Sequence, residues 1–196
     1  MWHNKHPDFS FIGAGKTGSG IKNQDIGASI NIIHHDVPDI VINEINCTAV
    51  QKNNSLVWIE LYNNSGKDVD LTGWTIKNEN HNIYALPGGF ILKQNEYIVL
   101  TDNRFKFSWH YPEVTNVRAV LGKKIIAKRN ALMLYDARMN LVDYVDYRNI
   151  KSWPDKYEKT GVSLELKSPS LDNGDEDNWI GGEHRPGTPG VKNNVR

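Results

Sequence analysis

From position 39 onward, hydrophobic residues fall into short runs that are separated by Gly, Asn, Pro and Ser. The runs cover 40–47, 56–62, 74–76, 83–86, 97–101, 117–121, 131–135, 141–147 and 162–166. No window of a dozen residues keeps a helical stripe, although 102–111 has room for one short helical turn. Many short strands at this spacing predict an all-β, immunoglobulin-like sandwich.

The run 56–62 shows how such a strand divides its side chains. Because neighbouring residues of a strand point to opposite faces, its aliphatic members Val57, Ile59 and Leu61 share one side. Trp58 and Glu60 point to the other side. The aliphatic face predicts the core, and the mixed face predicts a sheet surface or rim.

Residues 1–38 differ from the rest of the chain. They are rich in Gly, Asn and Ser, and their few apolar side chains follow no sustained period. Such a segment cannot bury a core of its own, which predicts an irregular or disordered tail or linker. The predicted organisation is therefore a tail over 1–38 and a sandwich over 39–193.

Charge and cysteine content narrow the classes of partner. Lys and Arg number 23, as do Asp and Glu, so the formal net charge is zero. A neutral chain has no strong long-range field to attract nucleic acid or an anionic membrane. Cys47 is the only cysteine, so no disulfide can form within the chain. No apolar run approaches the roughly 20 residues that cross a membrane as a helix.

Short motifs carry a family resemblance from Ile40 to the C-terminus. In chain order they are 42–45 (INEI), 58–63 (WIELYN), 69–74 (VDLTGW), 86–89 (LPGG), 96–100 (EYIVL), 163–166 (SLEL), 177–179 (DNW) and 186–190 (PGTPG). In this order and spacing they resemble the lamin tail domain. The resemblance implies an immunoglobulin-like sandwich without a catalytic role. In eukaryotic lamins it implies nuclear partners, whereas bacterial relatives lie beside enzymes in exported, multidomain proteins.

A second resemblance concerns the tail. The segments 7–9 (PDF), 11–15 (FIGAG) and 25–28 (DIGA) are similar to the last rungs of exported parallel β-helix proteins, many of them active on polysaccharides. This implies that the sandwich followed a β-helix in a larger protein. A signal peptide of such a protein would lie upstream of Met1, whose neighbours lack an apolar h-region.

Together these observations predict a non-catalytic accessory, structural or binding module of a secreted or cell-surface protein. We expect a monomer without a cofactor or membrane insertion, whose partner is protein or glycan rather than nucleic acid. One alternative is a nucleic-acid or chromatin-binding domain, as in eukaryotic lamin tails. Another is a fragment of a polysaccharide-active enzyme.

The most aromatic stretch offers the candidate ligand-binding residues Trp109 and Tyr111. Flat rings of this kind stack on sugars, so an exposed pair here would form a binding platform. The favoured alternative is that one or two rings of the stretch anchor a helical turn onto the sandwich. Trp58 and Trp74 lie inside family motifs and are expected to be structural.

The acidic turn offers the candidate metal ligands Asp172, Asp175 and Asp177, whose oxygens suit Ca²⁺. Read as an EF-hand loop, however, Gly174 occupies the third ligand position and Asp177 occupies the position of the invariant glycine. We therefore favour a solvated acidic turn and expect no metal.

Other candidate motifs favour structural roles. Asp143 and Asp146 are three apart on one strand, which puts them on opposite faces rather than in a catalytic pair. Glu44 and Glu60 are expected to be partnered or at a rim. The phosphate-loop pattern at 13–17 lacks its first glycine. Lastly, the basic cluster is expected to protect an edge hairpin from strand-to-strand aggregation, which is favoured over a patch that contacts phosphate groups. Its members are Lys123, Lys124, Lys128 and Arg129.

Overall fold

The computed structural model describes residues 39–46, 56–122, 130–148, 163–181 and 187–193. Within these ranges the elements are β1 (Ile40–Asn46), β2 (Trp58–Asn63), β3 (Val69–Asp70), β4 (Thr75–Asn78), β5 (Ile83–Ala85), β6 (Ile91–Leu92), β7 (Tyr97–Thr101), α1 (Arg104–His110), β8 (Val117–Ala119), β9 (Ala131–Tyr135), β10 (Leu141–Asp146), β11 (Leu164–Leu166), a 3₁₀ turn (Glu176–Asn178) and β12 (Trp179–Gly181).

Most of the strands form two sheets. The larger sheet has the order β12-β11-β1-β2-β7-β8, and the smaller sheet has the order β10-β9-β4-β5. Among the described strands, all pairs are antiparallel except β7 with β8, while β3 and β6 form a separate two-stranded ribbon. The predicted all-β, immunoglobulin-like sandwich is confirmed, and so is the short helix within 102–111. The predicted tail, the phosphate-loop pattern and the basic cluster lie outside the described residues, so the domain boundary at 38/39 stays a prediction.

The main core lies on the aliphatic face that the alternation in β2 predicts. Ile59 and Leu61 are fully buried there, in one cluster with Ile76, Leu132 and Leu134 of the smaller sheet. Each such side chain contributes about 1.5–3 kcal/mol when it leaves water.

A β-bulge in β1 determines which of its side chains point to the core and which point to the outer face of the larger sheet. Ile42 pairs with Leu61 and Glu44 pairs with Glu60, so Asn43 is an extra residue without its own partner on β2. In a regular strand, residues three apart point to opposite faces. The bulge lets Ile42 and Ile45 share the core face, and it turns Glu44 to the same side as Glu60.

The opposite face of the larger sheet is also covered, which corrects the expectation of a surface or rim. Trp58 and Glu60 on this outer face are fully buried. A second hydrophobic cluster forms there because α1 and the residues after it fold over the sheet. The Trp58 ring meets Phe107 and Tyr111 edge to face, at centroid distances of 5.8 and 5.9 Å. Alternation along one strand cannot show that a later segment will cover its polar face.

Asp143 ties the two sheets together. Its Oδ2 atom accepts hydrogen bonds of 2.6 Å from the Ile42 N–H in β1 and from the Asn173 amide. Asp143 is buried, whereas Asp146 is half-buried and pairs with Arg148. The prediction that these two carboxylates occupy opposite faces of β10 is confirmed.

Replacing Asp143 by alanine should destabilise the sandwich by about 1–3 kcal/mol, because buried donors lose their acceptor. The matched control is Asp146→Ala on the same strand, which removes a partly exposed ion pair and should cost less than about 1 kcal/mol. Urea unfolding of both variants measures the difference. Equal losses would show that Asp143 does not join the sheets.

Trp58→Ala should cost about 3–5 kcal/mol, since it removes the ring on which Phe107 and Tyr111 pack. Trp109→Ala provides the contrast, because Trp109 is 78% exposed and the loss of its side chain should change stability by less than about 0.5 kcal/mol. The free energies of unfolding in urea test both. A Trp58→Ala variant as stable as the native chain would contradict the structural assignment.

Candidate functional site

Three glutamates lie side by side on the outer face of the larger sheet. Glu44 in β1 pairs directly with Glu60 in β2 on one side and with Glu165 in β11 on the other. Directly paired residues point to the same face, so the bulge at Asn43 brings three carboxyl groups together. Their exposed fractions are 0–1%, and we call them the carboxylate cluster.

Residues 187–193, here called the C-terminal strap, cover this cluster. The Thr188 N–H donates to Glu44 Oε1 at 3.1 Å, and the Gly190 N–H donates to Glu60 Oε2. The Thr188 hydroxyl donates to Glu165 Oε2 at 3.2 Å. The three carboxyl groups therefore bind the strap through its backbone and one hydroxyl.

Two asparagines complete the attachment of the strap. The Asn193 amide donates to the carbonyl oxygens of Asn43 and Leu166 at 3.1 and 2.8 Å. The Asn43 amide donates to Glu60 Oε1 and to Asn193 Oδ1 at 2.9 and 3.2 Å. The strap also needs a small residue at 187, because a Cβ there would collide with Glu44 and the Ser163 hydroxyl.

Burial changes the protonation of the cluster. Desolvation raises the pKa of Glu44 well above its ordinary value, and the nearby Glu60 and Glu165 raise it further. Desolvation also raises the pKa of Glu60 to about 8, although the Gly190 N–H and the Asn43 amide oppose the rise. Near neutral pH, protons therefore neutralise part of the cluster. The Glu44 Oε2 atom, which is buried and accepts no hydrogen bond from the residues that the structure describes, can carry one of them.

This arrangement is suited to holding the strap, not to acid–base chemistry on a substrate. The carboxyl groups have no access to solvent, and the strap occupies their outer side. In the described parts of the chain, no three or more His, Cys, Asp or Glu side chains are grouped so that they could hold a metal ion. The expectation that Glu44 and Glu60 are partnered is confirmed.

Helix α1 divides its aromatic residues between the interior and solvent. The Asn103 side chain caps the helix by accepting from the Lys106 N–H at 3.0 Å. Phe107 is fully buried and stacks on Tyr111 with ring centroids 4.7 Å apart. Residues four apart share a helix face, so Phe105 and Trp109 project together on the side opposite Phe107.

Phe105 and Trp109 are 80% and 78% exposed, and we call them the aromatic pair. The candidate binding platform of Trp109 with Tyr111 is therefore corrected: Trp109 is exposed, but Tyr111 is not. Tyr111 is buried against Trp58, and burial raises its pKa above the ordinary value for tyrosine. The expectation that one or two rings anchor a helical turn is confirmed by Phe107 and Tyr111.

The acidic turn uses its carboxylates locally. Asp172 accepts from the Gly174 N–H at 2.9 Å, and Asp175 caps the 3₁₀ turn by accepting from the Asp177 N–H at 3.0 Å. Asp172, Asp175 and Asp177 are exposed, and these bonds close a turn rather than converge on one point.

A groove of about 700 Å³ lies beside the strap, and sequence reasoning missed it. Strand β7 contributes Tyr97 and Val99 to the lining, and strap residues 187–191 form its opposite part. The remaining lining residues are Ile91, Lys93, Asn95, Glu96, Tyr111, Glu113, Val114, Thr115 and Asn116. Burial and the nearby Glu60 raise the pKa of Tyr97 to about 12, so its hydroxyl stays protonated in the groove. Only the tertiary position of the strap creates this space.

Comparison with known protein families identifies the family to which this sandwich belongs. The Lamin Tail Domain family matches residues 34–149, which is more than half of the chain. The chain belongs to the lamin tail domain family. No curated protein matches it. In this lamin tail domain, β11, β12 and the strap lie beyond the matched residues. Strand β11 nevertheless contributes Glu165 to the carboxylate cluster, and the strap covers that cluster.

One solved structure that matches this chain is a DUF4876 family protein from Bacteroides thetaiotaomicron. It is 11% identical, with a TM-score of 0.48, and the match covers 74% of this chain and 71% of that protein. In the described ranges, no helix has the length and apolar character needed to cross a bilayer.

The stability of the domain should fall as pH rises from about 5 to about 9. Glu60 has a folded-state pKa of about 8 against 4.5 for an ordinary glutamate, so the folded state keeps a proton that the unfolded state releases. Stability is therefore full below the unfolded-state value and is lost as pH approaches the folded-state value. We expect the thermal midpoint to drop by at least about 5 °C, which corresponds to roughly 2 kcal/mol for a domain of this size.

Glu44→Gln is the control for this pH dependence. Its amide oxygen can keep the bond from Thr188, and its NH₂ group takes the place of Oε2 without a charge. The variant should match the native chain near pH 5 and lose less stability by pH 9. A native midpoint that is constant, or that rises over this range, would contradict the assigned protonation.

Proposed function

We propose that this domain is a non-catalytic binding module of a larger exported protein, and that it holds neutral glycan through the aromatic pair on α1. The observation that carries the proposal is the exposure of Phe105 and Trp109, two large rings on one helix face. The lamin tail family supports the coarser part, since its immunoglobulin-like fold is consistent with a module that performs no catalysis.

The aromatic pair has a rigid base. Asn103 caps the helix, and Phe107 anchors its opposite face in the cluster around Trp58. Since the helix is fixed, little conformational entropy is lost when the rings meet a ligand. Exposed apolar rings of this size usually mark an interaction surface, because leaving them in water is unfavourable.

A glycan suits this surface because sugar rings combine apolar C–H faces with hydroxyl groups. Phe105 and Trp109 offer flat faces for the first, and the neighbouring Arg104, Lys106 and His110 offer hydrogen-bond donors for the second. The zero net charge of the chain favours a neutral ligand over nucleic acid.

The exported context is part of the same proposal. Its support is the similarity of 7–9, 11–15 and 25–28 to the final rungs of exported β-helix proteins. A β-helix that acts on polysaccharide would gain from a neighbouring module that keeps it near its substrate.

Binding to a panel of neutral polysaccharides, by sedimentation with insoluble forms and calorimetry with soluble oligosaccharides, tests the proposal. We expect Phe105→Ala combined with Trp109→Ala to weaken binding at least tenfold, which is about 1.4 kcal/mol. Ile83→Ala is the matched control, because Ile83 is also exposed, at 57%, but lies in the smaller sheet. Either the absence of binding to every glycan, or equal binding by the double variant, would overturn the proposal.

A further inference from the structure

We propose that the groove beside the C-terminal strap binds a peptide segment in which an aliphatic side chain is adjacent to a lysine or arginine. This goes beyond glycan binding by the aromatic pair, since it concerns a different surface and a different class of partner. The volume of about 700 Å³ falls within the usual range of ligand pockets.

The apolar part of the groove is unusually exposed. Ile91 from β6 and Val191 from the strap are 61% and 57% exposed, and both line the groove. Val114, which is half-buried, and Pro189, which is buried, also line the groove. An aliphatic side chain that enters the groove would remove these surfaces from water. Ile91 and Val191 themselves offer no hydrogen-bond partner to a sugar hydroxyl, whereas both can pack against an aliphatic side chain.

The charged part of the groove specifies the neighbouring residue of the peptide. Among the lining residues that the structure describes, Glu96 and Glu113 are acidic and exposed, and Lys93 is the one basic residue. The excess of negative charge favours a cationic side chain and disfavours an acidic one. Charge complementarity therefore selects Lys or Arg next to the aliphatic residue.

The sheet below the groove limits how the peptide can be recognised. Strand β7 is hydrogen-bonded to β2 on one side and to β8 on the other. It has no open edge for an added strand, so a peptide lying over β7 must be recognised through side chains rather than by extending the larger sheet.

The test uses fluorescein-labelled heptapeptides in fluorescence anisotropy titrations with the full chain. The central residues are Lys-Leu-Lys in the probe, Glu-Leu-Glu in the charge control and Lys-Ser-Lys in the apolar control, flanked by Gly and Ser. We expect the probe to bind with a dissociation constant on the order of 0.1 mM. Both controls should bind at least tenfold more weakly.

Two groove variants and one control variant locate the contact. Ile91→Ser combined with Val191→Ser, and separately Glu96→Gln combined with Glu113→Gln, should each weaken probe binding at least fivefold. Ile83→Ser changes an equally exposed aliphatic residue elsewhere and should leave it unchanged. Circular dichroism confirms that each variant is folded.

Several results would overturn the inference. They are the absence of probe binding up to about 1 mM, equal binding of the acidic and basic peptides, and probe binding that both groove variants leave intact. Displacement of the probe by a neutral oligosaccharide, with loss of oligosaccharide binding in the groove variants, would show that the groove holds glycan instead. The aromatic pair is native in all of these variants, so failure here is distinguishable from failure of the glycan proposal.

Discussion

The three carboxyl groups that β11, β1 and β2 present side by side set the main constraint on the outer face of this domain. Each would be costly to bury as an isolated charge, so the structure has to supply donors and protons. The C-terminal strap supplies hydrogen-bond donors through Thr188 and Gly190. Because the pKa values of Glu44 and Glu60 are raised, these carboxyl groups also keep protons near neutral pH. The strap in turn forms part of the lining of the groove, so the groove depends on the cluster beneath it.

The predictable part of the fold rests on local patterns. The alternation in 56–62 predicts the core face of β2, and the short runs predict strands, because a strand needs only local periodicity to be recognised. The outer face could not be predicted in this way. By their alternation, Trp58 and Glu60 lie on the face that was expected to be a sheet surface or rim. They are buried because α1 packs over Trp58 and residues 187–193 cover Glu60, and both segments are distant from β2 in sequence.

The candidate sites likewise divide into features that local sequence predicts and features that depend on tertiary contacts. Trp109 is exposed as a platform residue must be, but its predicted companion Tyr111 turns inward to cover Trp58, and Phe105 takes its place because it lies one helical turn away. The acidic turn at 172–177 forms the hydrogen bonds of a turn. The bulge at Asn43 carries no sequence signal of its own, yet it determines that Glu44 faces Glu60. The sequence signal that could have pointed to the cluster is a glutamate inside each of three apolar strand motifs, at positions 44, 60 and 165.

The most direct measurement for this account is the titration of the individual carboxyl groups by carbon-detected NMR on the folded domain. If the strap seals a partly protonated cluster, Glu60 will titrate near pH 8 and Glu44 well above the ordinary range for glutamate. Titration of both Glu44 and Glu60 near the ordinary glutamate value of 4.5 would mean that these carboxyl groups are charged and hydrated, and that the strap does not seal them.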